Sequence, residues 1–203
     1  MTLRVAFLWL LLIAPPSTAS TLLVLGDSLS AGYGLDAGQG WVDHLGSQLK
    51  DQMGVDVQVL NASISGDTSA GGLSRLPGLI QRHEPDYVFL ALGANDGLRG
   101  LPLQSLKDNL LALIDTVKNS GATPLYAGIE LPRNYGGPYT RAFRATQDAV
   151  AAETGVAYLP FLLEPVALDR DYFQADGLHP TREAQPLIST HVLGFLQTLG
   201  FSK

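Results

Sequence analysis

The sequence predicts an α/β fold of three layers, with a five-stranded, mostly parallel sheet between two layers of helices. Three observations carry that expectation. Five short β-rich runs recur along the chain, each bounded by Gly, Pro, Asn or Asp. The stretches between them place apolar residues at helical spacing. The two kinds of segment alternate, and strands joined through helices need crossover connections, which leave neighbouring strands parallel and cover the sheet on both faces.

Taken in order, the first run spans residues 22–25 and closes on Gly26; a helix follows through Trp41, Leu45 and Leu49. The second, 55–60, closes on Asn61, and a helix with a weaker pattern is expected over 69–83. The third, 87–92, stops at Gly93 before a helix through Leu106, Leu110, Leu113 and Val117. The fourth, 124–127, leads through a second weak helix at 139–154 to the fifth, 156–159. The last helix carries Ile188, Val192, Phe195 and Leu199.

With 203 residues, 46% of them apolar and 16% charged, the chain can bury one full core. No internal repeat, low-complexity tract or linker divides it, so a single domain over residues 20–203 is expected. The first residues stand apart. Arg4 precedes an unbroken apolar run over 5–14, followed by Pro15-Pro16-Ser17-Thr18-Ala19. That run is about half the length needed to cross a bilayer, and Ser17-x-Ala19 is a small-x-small cleavage site. Residues 1–19 are therefore expected to be a signal peptide cleaved after Ala19, which puts the mature protein in the periplasm or outside the cell. An uncleaved anchor is the alternative, and no stable membrane span is expected elsewhere.

The 13 Lys and Arg stand against 19 Asp and Glu, a net charge of −6, which falls by one more when Arg4 leaves with the leader. No basic run appears, so a nucleic-acid partner is not expected. The absence of cysteine excludes a thiol nucleophile, a Cys-ligated metal and a disulfide framework.

In parallel sheets ligands bind beyond the carboxyl ends of the strands, so chemistry is sought at the strand exits. The first exit reads Gly26-Asp27-Ser28-Leu29-Ser30. A serine on a tight turn there exposes its hydroxyl at the sheet edge. The alternative is that Ser28 or Asp27 caps a helix. Ser30 at the last position departs from the Gly-x-Ser-x-Gly elbow of α/β-hydrolases.

A serine hydroxyl needs a base. His44, His83 and His191 fall within helical stretches, whereas His179 stands in the loop segment Asp176-Gly177-Leu178-His179-Pro180. Asp176 can accept the imidazole N–H, fix the tautomer and stabilise the imidazolium that forms during reaction. Read singly, Asp176-Gly177 is a turn and His179 flanks a helix; read together they are a base with its orienting carboxylate. Attack on a carbonyl also creates an oxyanion that needs donors. Gly66, after the second strand, can offer its backbone N–H, and Asn95, in Gly93-Ala94-Asn95-Asp96-Gly97, its side-chain amide. The Ser28 N–H would be a third, although Gly66 and Asn95 each also suit an ordinary polar turn.

In chain order, Gly-Asp-Ser after the first strand, a glycine after the second, Gly-x-Asn-Asp after the third and Asp-x-x-His near the end resemble the SGNH, or GDSL, hydrolase family. The phrases Gly-Asp-Ser-Leu-Ser-Ala-Gly-Tyr-Gly and Asp-Gly-Leu-His-Pro look most like its exported bacterial branch of arylesterases, acyl-CoA thioesterase I and lysophospholipase L1. The resemblance implies a flavodoxin-like hydrolase with no metal and no cofactor. It implies Ser28, Asp176 and His179 as triad, and Ser28, Gly66 and Asn95 as oxyanion hole; Asp27 is read as fixing the loop. The implied activity is a serine esterase acting through an acyl-enzyme on carboxylic esters and thioesters, lysophospholipids among them; separately, a monomer is expected.

Leu29, Leu98, Leu101, Leu131 and Pro132 lie at or after strand exits and are expected to line an apolar groove for the acyl chain; Leu73 suits the groove or the core. Residues 97–102 match in place a loop that moves on acyl binding in related thioesterases, and residues 129–138 are expected to form the opposite wall. Other readings are a carbohydrate O-acetyl esterase on the same fold and a binding module without activity. A flavin-binding protein lacks its phosphate-cradling loop here, and a metal hydrolase its His-x-x-x-His spacing.

Overall fold

The five β-rich runs become strands β1 Ser20–Gly26, β2 Val57–Asn61, β3 Tyr87–Ala91, β4 Thr123–Ala127 and β5 Ala157–Leu159 in a computed structural model that describes residues 20–54 and 56–201. The expected signal peptide, residues 1–19, lies outside the described residues, as does Val55. All strand pairs are parallel, in the order β2-β1-β3-β4-β5. β1 begins earlier than its apolar run because main-chain pairing with β2 already starts at Ser20 and Thr21, opposite Val57 and Gln58. β3 ends at Ala91, one residue short of the expected Leu92, which is nonetheless buried.

The helices are α1 Ser28–Ala31, α2 Trp41–Gln48, α3 Ser69–His83, α4 Ala94–Leu98, α5 Leu103–Asn119, α6 Gly137–Thr154 and α7 Gln185–Thr198. The longer five were expected. α1 and α4 were not, because helices of four and five residues are too short to display a 3.6-residue period.

Each face of the sheet has its own core. Leu22 and Val24 of β1, Phe89 of β3 and Leu125 of β4 pack with Trp41 and Leu45 of α2 and Ile188 and Val192 of α7. Leu23 and Leu25, Val88 and Leu90 point the other way, onto Leu76 of α3, the stripe Leu106, Leu110, Leu113 and Val117 of α5, and Phe143 of α6. β1 is therefore covered on both faces, which is why its sequence is an unbroken apolar run instead of an alternation.

From β1 the chain steps outward to β2 and then returns past β1 to β3. The connections leaving β1 and β3 diverge at this switch point and open a crevice beyond their carboxyl ends. Ser28 and Asn95 stand on those two connections.

Candidate active site

β1 runs into α1 with no spacer but Asp27, whose side-chain Oδ1 accepts the Leu29 N–H at 3.0 Å and so caps the helix. α1 folds back tightly on the strand end. A Cβ at Gly26 would lie 2.7 Å from Ser30 Oγ, so glycine is required there for close approach. Ser28 is the first residue of α1, and its N–H has no acceptor within the helix. Capping belongs to Asp27, which frees Ser28 for chemistry.

The base arrives on the segment between β5 and α7. An isolated antiparallel bridge between Phe173 and Pro180, with Gln174 N donating to His179 O at 2.8 Å, closes a tight loop around Asp176. Asp176 Oδ1 accepts the N–H groups of Leu178 and His179 at 2.9 and 3.0 Å, while Oδ2 lies 2.6 Å from His179 Nδ1. Turn and orienting carboxylate are thus the same residue. Burial opposes its ionisation, but the hydrogen bonds from His179 and Leu178 outweigh that and hold its carboxyl at about 2. His179 Nε2 lies 2.9 Å from Ser28 Oγ, completing the chain Asp176, His179, Ser28.

Sequence reasoning missed two residues that place the imidazole. Tyr33 packs tilted against His179, ring centroids 4.3 Å apart and planes at 37°. Gln174 Nε2 donates to Tyr33 O at 2.8 Å and to Pro180 O at 3.0 Å, binding the β1 and β5 exits together. Such contacts join residues far apart in sequence and leave no local pattern.

Asn95 and Gly66 come to the same cavity as Ser28. Asn95 Nδ2 donates to Asp67 O at 2.9 Å and to Asp27 Oδ2 at 3.4 Å, so both of its N–H groups are engaged, and the longer contact is the one a ligand oxygen would displace. Beside it, buried Asp96 accepts from Ser69 N at 2.8 Å and Ser69 Oγ at 2.6 Å, locking α4 to the start of α3. Arg75, also missed from sequence, pairs with Asp67 at 2.8 Å and donates to Ala62 O. Gly66 adopts φ 81°, a left-handed conformation that favours glycine, and its carbonyl is held by Arg99 Nη2 at 2.7 Å. No protein acceptor takes the Gly66 or Ser28 N–H among the described residues.

The cavity over these groups measures about 1110 Å³. Leu29, Leu98, Leu131 and Pro132 line it as expected, together with Ile129. Leu101 does not: it lies past α4, 38% exposed, because α4 turns the chain away from the cavity before reaching it. Leu73, on α3, packs half-buried against the core and not in the cavity lining. Of the expected opposite wall, residues 129–134 line the cavity. Much of the remaining apolar surface, including Phe161, Leu163 and Phe173, comes from the segment after β5 that sequence reasoning had not singled out.

Asp27, 1% exposed, is a buried carboxyl of the site. Burial pushes its carboxyl from 3.8 up to about 6, against the opposing effects of the Leu29 N–H, His179 and Asn95. Between these values the folded protein holds a proton that the unfolded chain has lost. The stability contributed by the neutral form is therefore complete below 3.8 and is lost as pH rises through 6, at most about 3 kcal/mol. Asp27→Asn keeps an acceptor for Leu29 N and removes that titration. Urea denaturation is expected to show the variant gaining on the parent by up to about 3 kcal/mol between pH 4 and 7; a constant difference across that range would contradict the shift.

Residues 24–186 match the GDSL-like Lipase/Acylhydrolase family. The chain is 47% identical over 190 residues to Esterase TesA of Pseudomonas aeruginosa, covering 94% of each chain. It is 45% identical over 194 residues to Thioesterase 1/protease 1/lysophospholipase L1 of Escherichia coli K12, covering 95% of this chain and 91% of that one. A crystal structure of TesA superposes with a TM-score of 0.85 at 48% identity, over 89% of this chain and 99% of the other.

Proposed function

Because the chain belongs to the GDSL-like lipase/acylhydrolase family and is a hydrolase of acyl esters, we propose that Ser28 is its nucleophile, His179 its general base and Asp176 the carboxylate that orients the base. The observation that carries this reading is the unbroken contact chain Asp176 Oδ2, His179 Nδ1, His179 Nε2, Ser28 Oγ at the floor of an apolar cavity.

In the reaction, Ser28 Oγ attacks the acyl carbonyl carbon as His179 Nε2 takes its proton; the other proton stays on Nδ1, which donates it in a hydrogen bond to Asp176, and the carboxylate charge stabilises the imidazolium. The oxyanion receives N–H groups from Ser28, Gly66 and Asn95. Collapse breaks the bond to the leaving alkoxide or thiolate, which takes the proton from Nε2, and leaves the acyl group on Oγ. Water then gives a proton to Nε2 as its oxygen attacks the acyl carbon. Oγ leaves, recovering that proton, and the free acid departs.

The substrates proposed are esters and thioesters of extended acyl chains, lysophospholipids included. The apolar wall of Leu29, Leu98, Ile129, Leu131, Phe161 and Phe173 supports this, as do the esterase, thioesterase and lysophospholipase names of the relatives. Each buried methylene contributes about 0.8 kcal/mol, so kcat/KM for p-nitrophenyl esters is expected to climb about threefold to fourfold per methylene until the groove is filled. Activity confined to acetyl esters, and higher on acetylated sugars, would favour a carbohydrate esterase instead.

Export is part of the same proposal. Cleavage after Ala19 would leave β1 whole from Ser20; N-terminal sequencing of the mature protein is expected to begin Ser-Thr-Leu, and a start at Met1 would contradict it.

A further inference from the structure

Among the described residues seven large apolar side chains are exposed, and five of them stand one on each of the five connections that leave the carboxyl edge of the sheet. Tyr33 follows β1, Ile64 follows β2, Leu101 follows β3 and α4, Tyr135 follows β4, and Leu168 follows β5; they are between 38 and 91% exposed. The other two, Leu187 and Leu199, belong to α7 and its C-cap. Because every strand is parallel, all five connections emerge on the side of the sheet where Ser28 lies. Tyr33 and Leu168 border the cavity itself. The five tips, one on each connection, therefore share the edge of the sheet that holds the cavity as a broken ring, and single exposed apolar residues scattered by chance would not concentrate at one edge.

Among the described residues two free cations stand at the opening. Arg133 and Arg170 line the cavity, are exposed and form no ion pair among the described residues. Glu130, the one carboxylate in that lining, is occupied by Arg144. In a chain of net charge −6, the two arginines are the uncommitted charges among the residues lining the cavity, with Asp169 and Asp171 flanking Arg170 outside that lining.

We propose that this ring seats the mouth of the cavity on the surface of a phosphate-bearing lipid aggregate, micelle or bilayer, so that a single-chain lipid enters without crossing bulk water. Dispersed apolar tips enter the headgroup and acyl boundary, and the two arginines meet phosphate oxygens. The attachment is peripheral, since no helix among the described residues is long and apolar enough to cross a membrane. The inference rests on the acyl-ester reading for its purpose, not for its geometry.

The test uses vesicles of phosphatidylcholine containing lysophosphatidylcholine, co-sedimented with Ser28→Ala protein so that no turnover alters them. The Ile64→Ser/Leu101→Ser pair changes two ring residues that do not line the cavity. It is expected to weaken sedimentation about tenfold or more, whereas Leu199→Ser, beyond the far end of α7, leaves it unchanged. In an otherwise unaltered enzyme, the same pair should keep the parent rate on a soluble short-chain aryl ester and hydrolyse micellar lysophosphatidylcholine about tenfold more slowly. Equal sedimentation of parent and ring variant would overturn the proposal. So would a dimer in vesicle-free solution that the ring substitutions dissociate while vesicles go unbound, which would assign the ring to a second copy of the chain. Failure of the parent on the soluble ester would sink the acyl-ester reading, and the sedimentation arm would still decide the ring.

Discussion

Ser28→Ala is expected to lower kcat for any acyl ester by about five to six orders of magnitude, with KM changed by less than about threefold. The loss is large because the hydroxyl is the attacking atom, and removing it leaves only the oxyanion donors and the groove to favour a direct attack by water. The protein should otherwise be undisturbed. Asp27, not Ser28, caps α1, and among the described residues the Ser28 hydroxyl hydrogen-bonds to His179 alone. Thermal unfolding of the variant is expected to match that of the parent to within a few degrees. A variant that keeps a tenth of the parent activity while folding normally would remove Ser28 from the mechanism.

Asp176→Asn should cost about 10⁴ in kcat. In the parent, Oδ2 accepts from Nδ1 and so leaves Nε2 bare to receive the serine proton. An amide N–H turned towards Nδ1 makes that nitrogen the acceptor, moves the imidazole proton to Nε2, and closes the route from Ser28. Asparagine can still accept from Leu178 N and His179 N through its oxygen, so the turn survives and the effect falls on rate. With its carboxyl held at about 2, the contribution of Asp176 to stability is present above the ordinary carboxylate value of 3.8 and is lost as pH falls through about 2. The kcat deficit of the variant is therefore expected to stay constant from pH 5 upward. A deficit of less than tenfold would mean that His179 is oriented by something other than Asp176.

Which parts of this arrangement the sequence discloses follows from the range of the interactions involved. α5 is legible because Leu106, Leu110, Leu113 and Val117 all face one side of the sheet, and β1 because both of its faces are buried. Ser28, Gly66, Asn95 and His179 are legible because parallel topology brings every strand exit to one edge. Two local alternatives proved compatible with the functional ones: Asp27 does cap a helix, and Asp176 does make a turn. What escaped depends on contacts between distant segments. Gln174 reaches Tyr33 across 141 positions, and Asp96 reaches Ser69 across 27. Phe161, Leu163 and Phe173 come from a stretch without helical or strand period, and only the folded path after β5 turns them towards the cavity. Leu101 failed for the converse reason: its position past a strand exit suggested the groove, and a one-turn helix without a sequence signature carried it outside.

Covalent capture tests Ser28 as the nucleophile without assuming a substrate. A monoalkyl p-nitrophenyl phosphonate offers a tetrahedral phosphorus that an activated serine attacks with loss of p-nitrophenol. Mass spectrometry of the digested protein is expected to find one phosphonyl group per chain, on the peptide carrying Gly26-Asp27-Ser28, and none in Ser28→Ala. Labelling that persists in Ser28→Ala, or an adduct on any other residue with activity lost in step, would rule out Ser28 as the nucleophile.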